Sequence, residues 1–382
     1  MINFDNVATT YPKPVSVRRA MIYAMNHCGG NPGRSGHRLS MASAEAVYSV
    51  REKAAAFFGA EPDNVVFTSN CTHSLNIAIK GIAENAKTSQ DGCHIIISDL
   101  EHNSVLRPVH ALQSMGCSYD IAHVSCDDDE TAANFESLIK PSTRLIVCTL
   151  GSNVTGRILP YRKIGEICRR HGICFIADGA QYCGIRDVKL SDGINILCAP
   201  GHKSLYGPSG TGLLLTDGSF DIAPLMQGGT GSTSLEPFQP DFMPDALESG
   251  TVNTCGIVSL GAGIDFVNSL GTERIMRHEE ELCDRFMSNI GSLDRVILYR
   301  GDGDFLPVVS FNIIGMTANE TAGKLSDAGF ALRGGLHCSG LAHKALGTAP
   351  EGTVRFSPSV FNTVKQVDSL SDVIESIVKS GR

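Results

Sequence analysis

The chain has 382 residues, with 32 Lys and Arg against 40 Asp and Glu, for a formal net charge of −8. Hydrophobic residues make up 42% and charged ones 19%, a globular composition that excludes a disordered chain. The acidic balance, with scattered basic residues, excludes the dense cationic face that a nucleic-acid partner requires.

In chain order, Ala42 to Phe58 reads as a helix and Val65-Val66-Phe67-Thr68 as the first buried strand. His94 to Ile97, Leu145 to Cys148, Ile173 to Ile176, Asn195 to Cys198 and Gly212 to Leu215 continue the strands, with Tyr161 to His171 a helix between them. Runs apolar on both faces and separated by helix-length segments describe a mainly parallel sheet covered by helices. A single long helical pattern from about Gly263 to Ile290 leads into an alternating strand, Val308 to Ile314, and a closing helix from Val364 to Val378. The change of texture places a boundary near residues 255 to 265. No apolar run approaches 18 residues, so no membrane partner is expected. The opening Met1-Ile2-Asn3-Phe4-Asp5 lacks the basic start and apolar run of a secretory signal, and a cytoplasmic location is expected.

Thirteen cysteines occur without a single C-x-x-C, the closest pair being Cys168 and Cys174. That spacing disfavours zinc, iron–sulfur and thioredoxin motifs, so no metal is expected and most thiols should be buried apolar residues in a reducing compartment.

In an open α/β sheet, ligands bind beyond the carboxyl ends of the strands. Those ends carry Ser69-Asn70-Cys71-Thr72-His73, Asp99-Leu100-Glu101-His102-Asn103, Gly151-Ser152-Asn153, Asp178-Gly179-Ala180-Gln181 and Pro200-Gly201-His202-Lys203. Taken singly, each has an ordinary explanation: Asp178 a helix cap, His102 a structural histidine, Lys203 a surface lysine beside a turn. Together they exceed what folding requires. A lysine at a strand end would be desolvated towards a nucleophilic amine. The Gly207 to Gly212 turn is glycine-rich, but no Lys-Ser/Thr pair follows it as a phosphate loop demands.

Glu101-His102-Asn103, Ser152-Asn153-x-x-Gly156, Asp178-Gly179-Ala180-Gln181 and Gly201-His202-Lys203 resemble the class V aminotransferase group of pyridoxal-phosphate enzymes. So do Asp5 to Pro14, Glu248 to Thr254, Arg333 to Cys338 and Thr353 to Ser357, and within that group the match is to cysteine desulfurases and selenocysteine lyases with a short cysteine loop. The resemblance implies fold type I: a large domain (15–258) on a mainly parallel seven-stranded sheet, a smaller α+β domain (259–382) carrying the Cys338 loop, and an N-terminal segment (1–14) packing near the latter.

The resemblance also implies the roles. Lys203 would form the Schiff base with pyridoxal 5′-phosphate, Asp178 would pair with the pyridinium nitrogen, and His102 would stack on the ring. Gln181 would bond the phenolic oxygen. Cys71, Thr72, His73 and His202 would hold the phosphate, with His73 replacing the family's Glu and adding a cationic contact. Pro200, where relatives tend to carry Ser, removes a hydroxyl contact. Thr251 would come from a neighbouring subunit, implying a homodimer with shared sites. Arg355 would clamp the substrate carboxylate bidentately, helped by Asn153. Cys338 would be the nucleophile, with His337 and Arg333 favouring its thiolate.

The activity implied is conversion of L-cysteine to L-alanine with a persulfide on Cys338, with a protein sulfur or selenium acceptor as a further partner. A selenocysteine lyase would use the same residues. A cyst(e)ine β-lyase or aminotransferase would leave Cys338 incidental, and a non-catalytic sulfur carrier would have no need of Lys203, Asp178, His102 and Gln181. The stretch Gly228 to Ser234 departs from the relatives.

Overall fold

The computed structural model describes residues 1–33, 36–86 and 92–380. Strand β1 (Ile2–Asn3) precedes helices α1 (Val15–His27) and α2 (Arg38–Phe58), then β2 (Val65–Thr68) and α3 (Cys71–Ala86). Alternation continues through β3 (His94–Ser98), α4 (Asn103–Ala111), β4 (Ser118–Ala122), α5 (Asp128–Ser137) and β5 (Thr143–Thr149). Next come α6 (Tyr161–His171), β6 (Cys174–Asp178), β7 (Ile196–Pro200) and β8 (Gly212–Thr216). These strands make a seven-stranded sheet in the order β2-β8-β7-β6-β5-β3-β4. From β4 to β7 the neighbours run parallel, whereas β8 is antiparallel to both β7 and β2. Side chains alternate between two cores, Ile96, Ile146 and Phe175 on one face and Ile95, Val147 and Ile176 on the other. Strand β4 escapes a pattern search because it lies on the edge, with Ala122 its one buried residue.

A run of turns after β8 leads into α7 (Thr254–Leu270) and α8 (Thr272–Ile290). The expected single helix over 263–290 is thus two helices. Gly271 separates them, at φ 81°, a left-handed value that breaks the helical path. Helix α7 spans residue 258 and packs along α1 and α2, with Ile257, Leu260 and Ile264 in the core of the large sheet.

The remaining elements are β9 (Val296–Leu298), β10 (Val309–Ile313), α9 (Ala318–Asp327), β11 (Phe330–Ala331), β12 (Arg333–Gly335), α10 (Gly340–Ala345), β13 (Thr353–Phe356) and α11 (Val364–Ser380). An antiparallel sheet β12-β13-β10-β9 packs its apolar face on α8 and α11 through Phe286, Phe311, Phe356 and Leu370. Strand β1 pairs in parallel with β11 as a separate two-stranded sheet, so the first residues pack with the C-terminal elements before the chain enters the large sheet. Among the described residues no helix is long and apolar enough to cross a membrane.

Candidate active site

The carboxyl ends of β3, β5, β6 and β7 open on a cleft of about 220 Å³ faced from the other side by β12 and β13. Asn70, Cys71, Thr72, His102, Asn153, Asp178, Gln181, His202 and Lys203 line it from the large sheet, and Arg333, His337 and Arg355 from the small one.

Lys203 sits in a turn whose backbone is closed on itself. Tyr206 N–H donates to the Lys203 carbonyl at 2.8 Å and Gly207 N–H to that of Gly201 at 2.7 Å. Two glycines let neighbouring backbone press on this turn. A Cβ on Gly184, at φ 92°, would lie 2.3 Å from the Ser204 carbonyl oxygen, and one on Gly263 would lie 2.2 Å from that of Leu205. Burial lowers the Lys203 pKa, against the opposing pull of Asp178 and Cys71, as a nucleophilic amine requires. Asp178, the last residue of β6, is buried and accepts from Ala180 N–H at 2.9 Å and Cys71 Sγ–H at 3.5 Å. Burial raises its pKa, countered by the Ala180 N–H and by Lys203.

At the start of α3, Asn70 Oδ1 accepts from His73 N–H at 2.9 Å, which caps the helix. The two preceding amides, of Cys71 and Thr72, have no intrahelical partner and belong to residues on the cleft. His73 accepts at Nδ1 from Ser69 N–H at 3.4 Å, so its proton is on Nε2, which is buried and unpartnered. Burial lowers the His73 pKa, and its side chain is not among those that line the cleft. His202 also has a buried, unpartnered Nδ1, and burial together with Lys203 and Lys13 lowers its pKa to about 4. His102 caps α4, accepting at Nδ1 from Ser104 N–H at 3.1 Å, and burial followed by Lys203 and nearby arginines lowers its pKa to about 4. Gln181 is buried, with its Nε2 3.5 Å from the Val7 carbonyl.

Glu101 has a place that motif reading did not assign. It is fully buried, accepts from Thr149 N–H at 2.9 Å and from the Ser98 hydroxyl, and is raised by burial to about 8, so it holds a proton. Its place three residues beyond the buried strand β3, in a strand-end cluster of polar groups, was the available signal.

The small-sheet side differs from expectation in three ways. Arg355 is buried on β13, with Nη2–H donating to Asp5 Oδ1 at 2.6 Å and Nη1–H to the Asn153 carbonyl at 3.0 Å, while its buried Nε is unpartnered. The Asn153 carboxamide is occupied by the cysteine loop: Nδ2–H donates to the His337 carbonyl at 2.8 Å and Oδ1 accepts from Ser339 Oγ–H at 2.6 Å. His337 donates from Nε2 to the Thr353 carbonyl at 3.0 Å, and burial brings its pKa down to about 2. His337 is therefore a neutral pin, and the charge near the thiol comes from Arg333, whose Nη2 is 3.6 Å from Cys338 Sγ. Cys338 is one of two exposed cysteines, with Cys126. His337 and Cys338 both have left-handed backbone, at φ 49° and 59°, each costing roughly 1–2 kcal/mol for a residue with a side chain. Thr251 is exposed, does not line this chain's cleft, and accepts from Asn31 Nδ2–H at 3.2 Å.

The N-terminal segment straps the two sides together. Asp5 bonds Arg355, Val7 and Ala8 line the cleft, and Lys13 Nζ donates to the His202 carbonyl and to Thr10 Oγ1, both at 2.6 Å. Burial lowers the Lys13 pKa to about 8.

These groups fit pyridoxal phosphate. Free helix amides and the unpartnered His202 Nδ1 suit the phosphate, a buried carboxylate suits a ring nitrogen, and a desolvated lysine suits an aldehyde.

The class-V aminotransferase family model matches residues 2–370. A probable cysteine desulfurase of Methanothermobacter thermautotrophicus is 31% identical over 98% of this chain and 94% of its own length. One from Pyrococcus abyssi is 30% identical over 100% and 95%. Among solved structures, an apo cysteine desulfurase from Thermococcus onnurineus superposes with a TM-score of 0.92 at 30% identity, covering 99% of this chain and 95% of that one. An Escherichia coli cysteine desulfurase, at 24% identity and a TM-score of 0.88 over 99% and 94%, shares the fold. The chain belongs to the class-V aminotransferase family.

Proposed function

We propose that this member of the class-V aminotransferase family acts as a pyridoxal-phosphate-dependent cysteine desulfurase, converting L-cysteine to L-alanine and leaving a persulfide on Cys338. The observation that carries the reading is the pairing of an exposed thiol, 3.6 Å from an arginine, with a cleft that holds a desolvated lysine and a buried aspartate. Its relatives and structural neighbours are cysteine desulfurases, which supports this activity over lyase, aminotransferase or carrier readings.

When bound to Lys203, the cofactor supplies an electron sink for the substrate Cα. The amides of Cys71 and Thr72, with His202, would hold the phosphate. Asp178 would pair with the ring nitrogen, His102 would cover the ring and Gln181 would bond the phenolic oxygen. Arg355 binds the substrate carboxylate from its unpartnered Nε edge. Lys203 takes the Cα proton, its lowered pKa giving a free amine to accept it. Cys338 thiolate attacks the substrate sulfur. As the new S–S bond forms, the Cβ–S bond breaks, its electron pair stays with the carbon fragment, and Cβ gains a proton to become the methyl of alanine.

The exposed thiol suits delivery of the persulfide to a protein acceptor. A homodimer is supported by exposed apolar side chains on α1 (Ile22, Tyr23, Met25) and α2 (Leu39, Met41, Tyr48), and by Leu235 and Phe238 after β8. Thr251, turned from its own cleft, would complete the partner's site.

The test is alanine and persulfide production from L-cysteine and from L-selenocysteine by cofactor-loaded protein. Alanine from cysteine with persulfide on Cys338 is expected. Preference for selenocysteine alone would make it a lyase, and alanine formed undiminished by Cys338→Ser would overturn the nucleophile.

A further inference from the structure

The cysteine loop has a backbone that its residues would not choose. Two successive residues with side chains, His337 and Cys338, lie in the left-handed region, and such strain persists only where the surroundings over-determine it. Two bonds from outside the loop meet this pair, and a third meets the residue that follows it. Asn103 N–H, at the first turn of α4, donates to the Cys338 carbonyl at 2.8 Å. Asn153 Nδ2–H donates to the His337 carbonyl at 2.8 Å, and Asn153 Oδ1 accepts from Ser339 Oγ–H at 2.6 Å. Asn153, Ser339 and His337 are all buried, so neither of the two Asn153 side-chain bonds is shared with solvent. The carbonyl of the same Asn153 accepts from Arg355 Nη1–H at 3.0 Å.

We propose that the Asn103 amide and the Asn153–Ser339 pair form a clamp that holds Cys338 in its left-handed conformation and so delivers its Sγ to the Arg333 side of the cleft. This rests on Cys338 being the nucleophile. Asn153 is then a positioning residue for the thiol, joined through its carbonyl to the arginine that binds the substrate carboxylate, so one residue sets the spacing between the carboxylate site and the attacking sulfur. Ser339 is a positioning residue that touches neither substrate nor cofactor.

Asn103 offers a clean probe. It is the first residue of α4, a position where proline is well tolerated, and His102 before it has φ −70° and ψ 154°, the extended geometry that a following proline prefers. Asn103→Pro removes the donor, while Asn103→Ala keeps it and serves as the reference. Ser339→Ala removes the hydroxyl and Ser339→Thr restores it.

In cofactor-loaded protein, Asn103→Pro against Asn103→Ala, and Ser339→Ala against wild type, should each lower kcat about tenfold, the scale expected for a misplaced reacting group. KM should stay within about twofold, because carboxylate capture is untouched. The cysteine concentration that half-saturates the change in cofactor absorbance should also stay the same, and Ser339→Thr should recover kcat. Unchanged kcat in both Asn103→Pro and Ser339→Ala, with persulfide still lost in Cys338→Ala, would overturn the clamp alone. Persulfide formed by Cys338→Ala would overturn the reading beneath it.

Discussion

The Lys203 turn and the Cys338 loop face one cleft and are built on opposite plans. The lysine turn is enclosed by backbone, with Gly184 and Gly263 admitting neighbouring chain against Ser204 and Leu205, and its amine is tuned by lack of water. The cysteine loop stands at the surface, and a few hydrogen bonds from distant residues hold it in a strained shape. A group that must bind a cofactor covalently gains from burial that lowers its pKa. A thiol that must give its sulfur away needs exposure, so its geometry has to come from pins rather than packing.

The sharpest break of this contrast is at the reactive atoms. Lys203→Ala should lower alanine production from cysteine by roughly 10³-fold or more, since it removes both the cofactor's anchor and the base. Cys338→Ser should lower persulfide formation by roughly 10²-fold or more in a mass-spectrometric assay, yet change unfolding free energy by less than about 0.5 kcal/mol because the side chain is exposed. Destabilisation by Cys338→Ser of about 1 kcal/mol or more, the scale of a packed residue, would erase the distinction. Gly184→Ala tests the enclosure itself. A Cβ 2.3 Å from the Ser204 carbonyl, at φ 92°, should cost about 2–3 kcal/mol in denaturant unfolding and weaken cofactor retention.

The smallest effect is on pH. His102 and His202 have pKa values lowered to about 4 from the ordinary 6.5, so the folded apo protein binds fewer protons than the unfolded chain between those values. The contribution of these two histidines to stability is therefore full above about pH 6.5 and is lost progressively as pH falls towards 4, while Glu101, raised to about 8 from the ordinary 4.5, contributes in the opposite sense. The difference in thermal unfolding between the apo wild type and His202→Asn across that window isolates the slope: the wild type should lose more stability than the variant as pH falls from 6.5 to 4.

Much of the large sheet could be read from the residues. Strands buried on both faces write themselves as apolar runs, and the groups that meet at the cleft follow directly after them, as Asp178 follows Cys174 to Ala177. Strand β4 was hidden because an edge strand with one buried side chain has no such signature. The break at Gly271 was hidden because both flanking helices keep a helical apolar period. At the site, residue types were legible but their electrostatic states were not. Nothing local shows that His337 donates to Thr353 and stays neutral, or that burial leaves Glu101 protonated. The occupation of Asn153 by Ser339 and the pairing of Arg355 with Asp5 join residues far apart in sequence, beyond the reach of spacing arguments.

That last pairing spans 350 positions, with Asp5 on a segment whose β1 pairs with β11 and whose Lys13 grips the carbonyl before the reactive lysine. On a ribosome adding about 5–20 residues per second, Asp5 would wait roughly 20–70 s for Arg355 to be made. The large sheet can condense in that interval, but Arg355, the arginine proposed to bind substrate, and the strap meet only when synthesis has passed β13. The catalytic centre is thereby a late event in the protein's own birth, and an unfinished chain lacks the means to seize its substrate.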